Sequence, residues 1–127
     1  MRLKPEGGFE EIYRTANMAS HINTCVLYQD HLYGFSTDRL CCIEYATGKR
    51  IWEQRGLGRG SQVLVDGHLA VLTEKGEVLL LEATPAGYKE KGRAKVLQGD
   101  CWAMPAFAYG HCYVRNERAL AAVDMRA

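Results

Sequence analysis

One pattern occurs three times along this chain, and it restricts the fold more than any other feature. In the first copy, Asp30 and His31 lead into Leu32, Tyr33, Gly34 and Phe35, and after a Ser-Thr-Asp turn Leu40, Cys41, Cys42 and Ile43 end at Glu44. In the second, Gly67 and His68 lead into Leu69 to Leu72, and Val78 to Leu81 end at Glu82. In the third, Gly110 and His111 lead into Cys112, Tyr113 and Val114, and Leu120 to Val123 end at Asp124. The histidines stand 37 and 43 residues apart, and each precedes its acid by 13, 14 and 13 residues. A period near 40 announces a repeat architecture.

The content of each unit says which one. The apolar runs are about five residues long and are separated by polar turns, which suits strands of a hairpin and is too short for helices. A further short run precedes each hairpin, at residues 24–28, 62–65 and 106–109. After the first hairpin, Arg50 to Arg55 supply a fourth strand. No segment holds i, i+3, i+4, i+7 apolar spacing over more than two turns, so helical solenoids are excluded. Four antiparallel strands in about 40 residues is one propeller blade. The expectation is an all-β chain of about three four-stranded antiparallel blades, a partial β-propeller, in one domain over residues 1–127. The blades fall near residues 15–55, 56–97 and 98–127, two of them full and the third with three strands.

Composition narrows the function classes. Sixteen basic against fifteen acidic residues leave a net charge of +1, which supplies no field for gripping a polyanion, so no nucleic-acid partner is expected. The longest aliphatic stretch, Val78 to Leu81, is far short of the roughly 18 apolar residues of a membrane helix, and no membrane span is expected. The first eight residues show no apolar run of the secretory kind, so no export signal is read there. Five cysteines, Cys25, Cys41, Cys42, Cys101 and Cys112, are an odd number without a Cys-x-x-Cys spacing. Structural zinc is therefore not expected, and those in apolar runs read as small buried hydrophobes.

The stretch Cys42-Ile43-Glu44-Tyr45-Ala46-Thr47-Gly48-Lys49-Arg50-Ile51-Trp52 resembles the Ala-x-Asp-x-x-Thr-Gly-x-x-x-Trp signature of pyrroloquinoline-quinone-type propeller blades. Cys42 replaces the Ala and Glu44 the Asp, while Ala122, Val123 and Asp124 restore the start of the motif in the third unit. The resemblance implies that Thr47 and Gly48 turn the chain between the last two strands and that Trp52 lies across the neighbouring blade as an apolar anchor. It also makes residues 1–14 the last strand of a preceding blade, with Tyr13 standing 39 residues before Trp52. Closed propellers need at least four blades. The chain therefore reads as the C-terminal portion of a larger propeller, or a truncated gene product, whose partner is its remaining blades, a second copy or another protein.

Members of the family that carry the quinone bind it on the central axis, through loops leading into the innermost strands. Those loops hold Ser20, His21, Asn23, Arg59, Ser61, Asp100, Cys101 and Trp102. Of these, His21, Asn23, Arg59, Ser61, Asp100 and Trp102 are the candidate ligand-binding residues, with Arg59 suited to a carboxylate and Trp102 to stacking on a flat ring. No catalytic residue and no metal ligand is assigned. His31, His68 and His111 hold equivalent places in successive blades, where copies are kept apart, whereas metal ligands must converge. Cys41 and Cys42 are mid-strand neighbours pointing to opposite faces, which disfavours a disulfide between them. The resemblance thus gives two readings. One is a non-catalytic scaffold that binds a protein or small ligand without a cofactor, similar to the outer-membrane assembly lipoproteins of this fold. The other is a fragment of a quinoprotein dehydrogenase using pyrroloquinoline quinone with calcium. Family members usually work outside the cytoplasm.

Overall fold

A computed structural model describes residues 2, 3, 5–19 and 24–126. The first unit is a four-stranded antiparallel sheet of β3 (Val26–Tyr28), β4 (His31–Ser36), β5 (Arg39–Glu44) and β6 (Arg50–Gln54), after an N-terminal pair, β1 (Arg2–Leu3) and β2 (Phe9–Glu10). The second sheet holds β7 (Gly60–Val65), β8 (His68–Thr73), β9 (Glu77–Glu82) and β10 (Glu90–Lys95). The third has three strands, β11 (Ala106–Ala108), β12 (His111–Arg115) and β13 (Leu120–Asp124). Each sheet is an up-and-down meander in sequence order, as in a propeller blade. The strand at the start of each sheet lies innermost, since β7 packs beside both β3 and β11. No helix among the described residues is long and apolar enough to cross a membrane.

The repeated sequence produces repeated geometry. The first two strands of every sheet are joined by a two-residue turn with both residues at positive φ: Gln29 and Asp30, Asp66 and Gly67, Tyr109 and Gly110. That left-handed pair matches the twist of the flanking strands. Next to it the histidine Nδ1 lies 3.0, 2.7 and 3.0 Å from the carbonyl oxygens of Gln29, Asp66 and Tyr109. A carbonyl only accepts, so Nδ1 carries the proton and donates in all three turns. Each histidine pairs across the sheet with its acid: His31 with Glu44, His68 with Glu82 and His111 with Asp124. One residue further, the amides of Tyr45, Ala83 and Met125 donate to Asp30, Gly67 and Gly110 at 3.0, 3.1 and 2.9 Å. The near-constant spacing between histidine and acid is thus the length of one hairpin.

Side-chain alternation along each strand assigns two faces, and the sheets stack through them. Tyr33, Phe35, Leu40 and Cys42 of the first sheet meet Leu69, Val71, Leu79 and Leu81 of the second in one apolar cluster. Ala70, Leu72 and Val78 leave the opposite face of the second sheet and meet Cys112 and Val114 of the third. Because the middle sheet is buried on both faces, β8 and β9 read as nearly continuous apolar runs. Gln62, fully buried in β7, ties the first two sheets by donating from Nε2 to the Thr24 carbonyl at 2.6 Å. Basic side chains on the first sheet turn toward their own acid, with Arg39, Arg50 and Arg55 at 3.4, 3.2 and 3.4 Å from Glu53. Such solvent-exposed pairs contribute little to stability.

Candidate functional site

Two kinds of position bear on function: the loops leading into the inner strands, and the seams between sheets. In the loops, Asp100 and Trp102 open onto one cleft of about 440 Å³, beside Arg115, Asn116 and Glu117. Trp102 is half exposed. Asn116 shapes this cleft by joining two loops, since its Nδ2 donates to Gln98 O at 2.5 Å and its Oδ1 accepts the amides of Arg118 and Ala119 at 2.9 and 2.8 Å. Cys101 is buried between them, its amide donating to Glu74 O at 2.9 Å.

The other candidates lie elsewhere. Ser61 is 2% exposed inside β7, opposite Leu72. The Arg59 carbonyl accepts the Glu74 amide at 2.7 Å, and Arg59 is not among the residues lining the Asp100 cleft. Ser20, His21 and Asn23 fall outside the described residues. Quinone recognition needs a cation for the carboxylates and a flat apolar platform on one volume, with oxygen ligands for calcium beside them. Of the described candidates, Asp100 and Trp102 share one cleft, whereas Arg59 does not line it and Ser61 is buried in a sheet interior. Among the described residues no three His, Cys, Asp or Glu side chains group as metal ligands.

The seams are more informative. Trp52, on β6 of the first sheet, reaches the turn that follows β9 in the second and donates from Nε1 to Thr84 O at 2.8 Å. Its ring packs edge-on against Tyr88 and tilted against Tyr33, with centroids 6.2 Å away in both cases. This is an inter-sheet clasp, apolar in body and hydrogen-bonded at its tip. Tyr13 repeats it one unit earlier, its hydroxyl donating to Tyr45 O at 2.6 Å and its ring lying on the Thr47-Gly48 turn. Gly48 has φ +76°, and a Cβ there would stand 2.7 Å from the Tyr13 ring. The turn therefore requires glycine both for its backbone and for this close approach. Thr47 Oγ1 accepts the Lys49 amide at 3.2 Å and closes the turn. From Tyr13 to Ala19 the chain lies along the first sheet, with Asn17 donating to Gly48 O at 3.0 Å and Ser36 Oγ accepting the Ala19 amide at 2.9 Å. Sequence reading did not find this cover, because an irregular segment has no periodicity to detect.

All five cysteines are free thiols. Cys41, Cys42, Cys101 and Cys112 are at most 2% exposed, while Cys25 is only half-buried. Burial raises the four buried thiols, pushing Cys42 up to about 11, and a protonated thiol is a poor nucleophile. In the native protein an aromatic disulfide reagent is expected to titrate Cys25 within minutes and the other four only after denaturant is added. Rapid release of all five equivalents from native protein would contradict the buried placement.

No protein-family model matches the chain, and no curated protein matches it. Solved structures do. BamB from Moraxella catarrhalis superposes with a TM-score of 0.65 at 16% identity, over 80% of this chain and 32% of that one. The computationally designed Ika8 protein superposes with a TM-score of 0.64 at 12% identity, again over 80% of this chain and 32% of that one. The chain thus spans about a third of the length of the structures it matches. With three meander sheets stacked around a line of inner strands, the likeness establishes the fold as a partial β-propeller.

Proposed function

We propose that the chain is a set of blades from a non-catalytic propeller of the pyrroloquinoline-quinone-like type, acting outside the cytoplasm as a binding scaffold for protein. The observation that carries this reading is the outer face of the third sheet. Tyr113, equivalent to the fully buried Tyr33 of the first sheet, is 38% exposed, and Leu120 beside it is 72% exposed. Below them β13 lies at the edge of the described sheet, paired among the described residues with β12. An apolar face next to open backbone groups is a docking surface for another sheet or a partner strand. The pairing of β1 with β2 and the clasp of Tyr13 support reading residues 1–14 as the end of a preceding blade, with a blade-like body following over residues 15–55.

The occupant we assign to the face is a further propeller blade, supplied by a second copy when the chain is alone. Light scattering on the purified 14.2 kDa chain is expected to show a mass rising with concentration, and Tyr113→Lys with Leu120→Lys is expected to return it to that of the monomer. A monodisperse wild-type monomer at every concentration, with a high melting temperature, would sink the proposal.

A further inference from the structure

The clasp that joins the first two sheets has a structural counterpart between the second and third, and there its side chain is missing from the sequence. Both fourth strands carry the same bulge: Ile43 pairs with Arg50 and Cys42 with Trp52, while Leu81 pairs with Glu90 and Leu80 with Gly92. Gly92 therefore stands at the position of Trp52, and a Cβ built there meets nothing within 4 Å. Two other members of the first clasp are also reduced in size or changed in kind, because the cross-strand positions of Tyr33 and Cys42 are held by Ala70 and Leu80. Beside these positions lies a cleft of about 600 Å³ lined by Val65, Leu80, Phe107 and Met125, with Lys91, Asp66, His68 and Arg126 around them.

Leu80, which lines this cleft, holds the place that Cys42 has opposite Trp52, and Lys91 next to Gly92 lines it too. Counting from the terminal acid of each hairpin, Thr84, whose carbonyl receives the indole N–H, matches Arg126, which lines the cleft. Among the described residues, its lining holds one cation that no carboxylate occupies. Lys91 donates from Nζ to His68 Nε2 at 2.9 Å and has no carboxylate partner among the described residues. Arg126 is held by Asp124 at 2.7 Å, and Asp66 is the one acid among the lining residues. From these observations we propose that the cleft between the second and third sheets binds a small, flat aromatic acid of indole size. The ring takes the place a clasp tryptophan would fill and the carboxylate lies toward Lys91. An apolar slot with a few fixed polar groups is the usual form of such a site. The site is separate from the outer face of the third sheet, so it stands or falls independently of the docking proposal.

The test uses the wild-type chain with its methionine methyls labelled with carbon-13, titrated with indole-3-acetate, neutral indole and cyclohexylacetate. Indole-3-acetate is expected to shift the Met125 methyl through the ring current while Met18 stays in place. Cyclohexylacetate should bind at least about tenfold more weakly, and Lys91→Gln should reduce indole-3-acetate affinity roughly fivefold and leave neutral indole unchanged. Gly92→Trp should abolish binding and show a blue-shifted tryptophan emission with a raised melting temperature. Should that variant not fold, the wild-type comparison decides. Equal binding of the saturated acid, or ligand shifts that spare Met125, would overturn the proposal.

Discussion

Replacing Trp52 with alanine is expected to lower stability by about 3 kcal/mol, the range for removing a large aromatic side chain from a packed site. At a urea slope of roughly 2 kcal/mol/M this moves the unfolding midpoint down by about 1.5 M with the slope unchanged. The size of the effect follows from three losses at one position. The ring contacts to Tyr33 and Tyr88 disappear, the Thr84 carbonyl loses its donor, and the seam between two sheets opens. Trp52→Phe retains most of the apolar area and loses only the hydrogen bond, so it should cost about 1 kcal/mol. Equal losses for the two variants in urea titrations would mean that packing contributes little to the clasp.

Gly76→Ala is expected to be of similar severity for a different reason. Gly76 lies in the turn between β8 and β9 with φ +90°, and a Cβ there would fall onto the carbonyl group of Leu97. The residue is fixed from both sides, donating to Thr73 O at 3.0 Å and accepting the amides of Val96 and Leu97 at 2.9 and 3.2 Å. The turn cannot shift without breaking the bonds that hold the chain between the second and third sheets. Left-handed strain plus a backbone clash amounts to about 3 kcal/mol. Because those bonds anchor residues 96 and 97, amide hydrogen exchange should also accelerate in the loop that leads to β11. A midpoint within about 0.3 M of wild type would refute this account of the turn.

The hairpins were readable in the sequence because each is delimited by residues with one local job. The histidine bonds to its own turn, the acid ends the second strand opposite it, and the strands between are buried on alternate faces. Trp52 was singled out through its motif, and its contacts with Thr84 and Tyr88 lie in the connection between β9 and β10. The fourth strand of the second sheet was less legible. Glu90 to Lys95 are exposed throughout, so no apolar alternation marks them, and the strand exists through pairing with β9 alone. Candidate ligand residues were the least legible. Asp100 and Trp102 were chosen by loop position and do share a cleft, but Ser61, chosen the same way, points into a sheet interior. Loop position specifies neighbourhood, whereas side-chain direction depends on strand register, which the sequence did not specify at those ends. Gly92 was missed because its meaning appears only once the two bulges are aligned.

The two clasps span equal lengths of chain, 32 residues from Tyr13 to Tyr45 and 32 from Trp52 to Thr84. All sheet pairings join strands adjacent in sequence. During synthesis, then, no sheet waits for a distant segment. The first can close once Gln54 has emerged from the ribosome, and Trp52 stays unseated only for the time taken to add the next 32 residues, a few seconds at about 10 residues per second. The order in which the seams form is thus the order of translation, and the apolar face left open at any moment belongs to the sheet most recently made.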